Sequence, residues 1–147
     1  MESNTGGIVM EQSKKTTQRL VVVIMGQNCE RFIEMCLESV KDADEIVYCD
    51  GGSIDGTLDI VNGFITKEIN TGKPMPEGTL WYAKHPIVIE NKYNQEDLGM
   101  NGKQRNFYLN YLKSNYPGWY CLVLDADEVL EEGGIQKIKE FLDKNGE

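Results

Sequence analysis

One histidine, four prolines and four cysteines are all that the 147 residues contain of those types, and each scarcity narrows the field. His85 has no metal-motif spacing to any cysteine, which removes the common Cys/His zinc patterns. Cys29, Cys36, Cys49 and Cys121 form no CxxC pair, and no secretory leader is visible. Reduced, mostly buried thiols in a cytoplasmic protein follow from that usage. The longest apolar run, residues 20–25, falls far short of the roughly 20 residues that cross a bilayer. There is thus no transmembrane segment, and any peripheral membrane association is left to missing parts or partners. Basic charge is also short: 15 Lys and Arg stand against 24 Asp and Glu, for a net charge of −9. A nucleic-acid binder usually shows a basic face, so nucleic acid is not expected as a partner. A nucleotide ligand stays open, because a metal ion and a few placed cations can neutralise a diphosphate locally. Neither the P-loop order nor GxGxxG occurs.

The length suits one domain, of a size that buries roughly 70% of its unfolded surface. The 40% hydrophobic content and the 2 Trp, 7 Tyr and 4 Phe argue against global disorder. Residues 1–17, rich in Ser, Thr, Asn, Gln and Lys, read as a flexible N-terminal arm, and the domain as 18–147. Residues 20–25 are apolar and β-branched, as in a strand buried on both faces. After Gly26-Gln27-Asn28, with Asn28 as the expected N-cap, Phe32, Ile33, Cys36, Leu37 and Val40 make a helical stripe. A second strand over 44–49 runs into Asp50-Gly-Gly-Ser-Ile-Asp-Gly-Thr57. A second helix follows, with Asp55 as cap and Leu58, Val61 and Ile65 inward. Residues 70–78 read as a loop, 79–90 as an extended segment weakened by Pro86, and 91–100 as polar and irregular. A helix is expected over 102–115 with Phe107, Tyr108, Tyr111 and Leu112 inward, then a buried strand over 119–124. A final amphipathic helix carries Ile135, Ile138, Phe141 and Leu142. Strands alternating with helices predict an α/β fold, a mostly parallel sheet covered by helices.

Ligands of open α/β sheets bind at the carboxyl ends of the strands. Three polar clusters fall at such ends: Gln27-Asn28, residues 50–57, and Asp125-Ala-Asp127-Glu128. Asp125 and Asp127, two residues apart in extended backbone, point to one face and can converge on one cation. Carboxylate oxygens suit Mg²⁺ or Mn²⁺. Glu128 either joins that metal shell or caps the next turn. Gly52 sits in a loop whose glycines permit positive φ and close approach of a ligand. Asp50, if its carboxylate is free, can accept from ribose hydroxyls or a base N–H. Lys103 and Arg105, near the start of the third helix, are placed to reach phosphate, Arg105 as a bidentate fork. His85 and Trp81-Tyr82 read as structural.

These clusters, in this order, resemble the family 2 glycosyltransferases. The likeness rests on Asn28-Cys-Glu30, Cys36-Leu-Glu-Ser-Val40, the 50–57 loop, Gln104-Arg-Asn106 and Leu124-Asp-Ala-Asp-Glu128, the last as in the Asp-Ala-Asp-Glu subgroup. The resemblance implies a GT-A fold, a Rossmann-like αβα sandwich. It implies metal-assisted transfer of a sugar from a UDP- or GDP-linked donor to an acceptor hydroxyl, with inversion. Asp50 would contact the nucleoside, the backbone at Gln27 and Asn28 would line the base pocket, and Arg105 would approach the diphosphate. Asp125 and Asp127 would hold the metal and donor. The loop has Gly51-Gly52 where many members carry a second aspartate. Nothing after Glu128 resembles the family's acceptor half, so the chain reads as the donor-binding part, its acceptor unknown and no catalytic base assigned.

Overall fold

The computed structural model describes residues 18–70, 81–92 and 100–145. The expected arm at 1–17 and most of the two irregular stretches lie outside them. The elements are β1 (Leu20–Gly26), α1 (Ile33–Ser39), β2 (Glu45–Asp50), α2 (Thr57–Gly63), β3 (Lys67–Asn70), β4 (Trp81–Lys84), β5 (Ile87–Glu90), α3 (Met100–Asn115), β6 (Tyr120–Asp125) and α4 (Gly134–Asn145). A parallel sheet runs β5-β2-β1-β6, and β3 and β4 form a separate antiparallel pair.

β1 anchors the molecule. Leu20 to Ile24 are each 2% exposed or less, and burying one such side chain fully contributes about 1.5–3 kcal/mol. Successive side chains on a strand face opposite ways. Leu20, Val22 and Ile24 therefore join Ile33, Cys36, Leu37, Val61 and Ile135 of α1, α2 and α4 on one side. Val21 and Val23 meet Tyr108 and Leu112 of α3 on the other, with Val47 and Cys49. The result is the αβα sandwich expected of a GT-A fold. Among the described residues no helix is long and apolar enough to cross a membrane.

Several elements differ from the sequence reading. α1 starts at Ile33 with no side-chain cap: residues 29–32 form a turn in which Phe32 and Ile33 donate to the Cys29 carbonyl at 2.9 Å each. Asn28 is therefore not its N-cap. The extended stretch 79–90 divides at His85-Pro86 into β4 and β5, which belong to different sheets. Proline removes a ladder donor at that point, and the ring of His85 bonds the Phe64 carbonyl at 2.8 Å. α2 ends at Gly63, so Ile65 lies beyond it and is exposed. Phe107 and Phe141 are also exposed, and Tyr111 is half-buried. β6 is an edge strand of the four-stranded sheet rather than a strand covered on both faces: Cys121 and Val123 are exposed.

Candidate functional site

The register of the sheet sets three strand ends side by side. Gly26 is level with Asp50, Met25 with Asp125, and Asp50 with Glu90. The ladder continues one step past the strands: Gly51 N–H donates to Gly26 O at 2.9 Å, Ala126 N–H to Met25 O at 3.0 Å, and Asn91 N–H to Asp50 O at 2.9 Å. The three polar clusters thus leave the sheet along one edge.

Gly26 stands at the centre because nothing larger fits. A Cβ there would lie 2.8 Å from the Ala126 methyl, 2.9 Å from Cys29 Sγ and 3.0 Å from Tyr48 Oη. Beyond it the loops after β1 and β2 are fastened to each other by side chains. Asn28 N–H donates to Ser53 Oγ at 2.8 Å, and Ile54 N–H donates to Asn28 Oδ1 at 2.8 Å. Cys29 N–H donates to Thr57 Oγ1 at 2.8 Å, and Gly56 N–H to Glu30 Oε1 at 2.7 Å. Asn28 adopts φ 52°, a left-handed conformation that Asn tolerates better than most residues. Gly52, at φ 105°, packs against Lys92. Asp55 accepts from Thr57 N–H at 3.0 Å and Thr57 Oγ1–H at 2.6 Å, holding the first residue of α2.

The expectation of a free carboxylate at Asp50 does not hold. Asp50 is 1% exposed. Its Oδ1 accepts from Tyr48 Oη–H at 3.0 Å and Ser53 Oγ–H at 2.6 Å; its Oδ2 accepts from the N–H groups of Gly52 at 2.9 Å and Ser53 at 2.7 Å. A carboxylate has about four acceptor sites, and here the chain's own donors fill them. Asp50 shapes the loop, in which Gly51 is buried, Gly52 and Ser53 are half-buried and Ile54 is exposed. Gln27 is half-buried between β1 and this loop.

Asp125 and Asp127 are exposed at the end of β6. Glu128 folds back and accepts from Asp125 N–H at 2.8 Å, while its own N–H donates to Asp125 O at 2.9 Å. It therefore caps the turn. Partial burial pushes the Asp125 carboxyl above its ordinary value, and the charges of Glu128 and Asp127 push the same way; Arg105 opposes them. That crowding is relieved by a cation. Among the described residues no group of three metal-ligating side chains converges. Hard divalent ions in nucleotide sites are commonly held by one or two carboxylates plus substrate phosphates. Asp125 and Asp127 are carboxylates of the kind such a set needs, so their chemistry fits a metal that would enter with a diphosphate.

α3 runs back from this edge. Its early residue Gln104 bonds Asn91 beyond β5, and its end leads through Trp119 into β6. Arg105 thereby comes within electrostatic reach of Asp125, while Lys103 is exposed two residues earlier. The structure brings Asn28, Asp50 and Gly52 together through β1 and β2, and Asp125 with Arg105 through β6 and α3. The sequence reading missed Tyr48, Gln104 and Asn91. Gln104 left one sign: it stands four residues before Tyr108 and eight before Leu112, a polar residue on the buried stripe of the helix.

The description "Glycosyl transferase family 2" belongs to the family model that matches residues 21–147. No curated protein matches the chain.

Proposed function

The chain belongs to glycosyl transferase family 2, and from that premise we propose that the strand-end cluster is the donor site of a metal-assisted, inverting sugar transferase. Glycosyl transfer from a nucleotide sugar is the activity of the family. The observation that carries the finer reading is the register: Gly26 ends level with Asp50 and one residue past Asp125, so a nucleotide laid across that edge would meet all three loops at once. The nucleoside would rest against the backbone at Gln27, Asn28 and residues 51–54. The diphosphate would lie toward Arg105, with Lys103 as a further cation on the same turn. Asp125 and Asp127, as in the Asp-Ala-Asp-Glu subgroup, would hold Mg²⁺ or Mn²⁺.

In transfer, the acceptor hydroxyl would give its proton to a carboxylate base on one face as its oxygen bonds to the anomeric carbon, while the bond to the diphosphate oxygen breaks on the other. Negative charge then grows on the leaving diphosphate. Arg105, within electrostatic reach of Asp125, would stabilise that charge. Asp125 and Asp127 would hold a metal ion that, as a Lewis acid, would supply further stabilisation of that charge. The Asp50 network keeps the nucleoside loop in shape before the ligand arrives, so little ordering remains to be done on binding.

Calorimetric titration of UDP, with GDP alongside, tests this reading with and without Mn²⁺. Binding that needs Mn²⁺ and is lost in Asp125→Ala/Asp127→Ala is the expected result. A folded protein that binds neither nucleotide would sink the donor-site reading. Binding without transfer to any sugar or lipid hydroxyl would favour a donor-binding module over a complete transferase.

A further inference from the structure

Among the residues of the α3 stripe whose burial is described, Gln104 is the one that does not belong there by polarity. Tyr108 and Leu112 turn inward against Val21, Val23, Val47 and Cys49, and Gln104, one turn earlier, is 1% exposed. Its Oε1 accepts from Asn91 Nδ2–H at 2.6 Å, and Asn91 N–H in turn donates to Asp50 O. The side chain is therefore fixed at the carboxyl ends of β2 and β5. Its Nε2 is buried and has no hydrogen-bond partner among the described residues.

A buried donor left unpaired destabilises the folded state, and an apolar residue of the same shape would not. Leu or Met at 104 would continue the stripe without an orphaned amide on the helix, at the cost of the Asn91 bond alone. The amide is therefore a poor choice for packing and a good one for a ligand. With Oε1 held by Asn91, the remaining capacity is donor only, so the ligand atom is an acceptor oxygen. The setting agrees. α3 spans sixteen residues, and its N-terminal end, the positive end of the helix dipole, faces the same edge of the sheet. Arg105 lies toward Asp125 and the phosphate side; Gln104 lies toward Asn91 and Asp50, the nucleoside side.

We propose that Gln104 is a donor-binding residue whose Nε2–H is reserved for an oxygen of the nucleoside, a base carbonyl or a ribose hydroxyl, and that it favours a nucleoside diphosphate over a bare diphosphate. This rests on the donor-site reading above. Because the amide is enclosed in the ligand-free chain, contact requires the first turns of α3 to shift as nucleotide enters.

The test titrates UDP and GDP into the wild-type protein and into Gln104→Met, each with Mn²⁺, and inorganic pyrophosphate beside them. The Kd of the tighter nucleotide is expected to rise about tenfold or more, the range that follows from losing a buried donor's partner. The Kd for pyrophosphate should stay within twofold. A nucleotide Kd within twofold of wild type would overturn the proposal, as would an equal loss for nucleotide and pyrophosphate. A second readout needs no variant: the side-chain amide resonances of Gln104 in ¹⁵N-labelled wild type. They should move on saturation with the nucleotide, and unmoved resonances would count against it equally. A wild type that binds no nucleotide at all is a different failure, since it removes the donor site itself.

Discussion

Gly26 is set by the atoms around it. The Ala126 methyl is fixed to backbone and cannot rotate away, so a Cβ at 2.8 Å forces the strand ends apart. Gly26→Ala is expected to cost about 1–3 kcal/mol, as overpacked cores do; urea denaturation followed by circular dichroism checks it. The same variant should weaken nucleotide binding beyond its effect on folding, because the shift falls between the loops that would hold the ligand. At this level the sequence was legible where chemistry and position coincide. Asp125 and Asp127 follow an apolar run and stand where a strand ends. It was illegible where the outcome depends on which donors happen to turn inward. Nothing in the letters around Asp50 says that Tyr48 and Ser53 claim its oxygens. Nor does Asn28 announce that its side chain reaches Ile54 and not its own helix.

Among the elements, α4 illustrates a tie that no local pattern carries. Asp44 Oδ2 accepts from Leu20 N–H at 2.8 Å and from Lys139 Nζ at 2.8 Å. One carboxylate thus joins the start of β1 to a helix far along the chain. Burial pushes the Asp44 carboxyl up, but the Lys139 and Leu20 bonds, with the charges of Lys139 and Lys67, outweigh it and hold it below its ordinary value. A depressed folded-state value means that the contribution is present above the ordinary carboxylate range, about pH 4. It is lost as pH falls through the folded-state value. Asp44→Asn is therefore expected to lose about 1–3 kcal/mol at pH 7, with the gap to wild type closing below about pH 4. Denaturant melts across pH would reveal it. The elements themselves were mostly legible, since β1, β2, α3 and α4 follow from period and composition. The extended stretch 79–90 was not, because β4 and β5 part at a proline and pair with partners set by tertiary structure. The burial of β6 was misjudged because an apolar run does not tell a central strand from an edge strand.

For the molecule as a whole, the α/β architecture followed from the alternation of elements, whereas the side-by-side strand ends are a property of register. Within the net charge of −9, partial burial and the crowding of Glu128 and Asp127 raise the Asp125 carboxyl. Its raised value means that the folded chain holds the proton more tightly than the unfolded one. Stability therefore declines as pH rises from the ordinary carboxylate range through the raised value. Asp125→Asn is expected to melt at a higher temperature than wild type at pH 7, with no difference below the ordinary range. It should bind Mn²⁺ and nucleotide less well. Calorimetric melts in metal-free buffer at both pH values test the sign.

The place of β1 in the sheet also sets a timetable. β1 pairs with β2 across 24 residues, as Val21 with Glu45, and with β6 across about a hundred, as Leu20 with Tyr120. On the ribosome, β1 and β2 can meet early, while the other edge of β1 waits for most of the chain to be made. That edge is the most apolar strand of the protein, open during the wait to pairing with strangers. The central position that makes β1 the firmest part of the finished fold also makes it the most exposed to misassembly before the fold is complete.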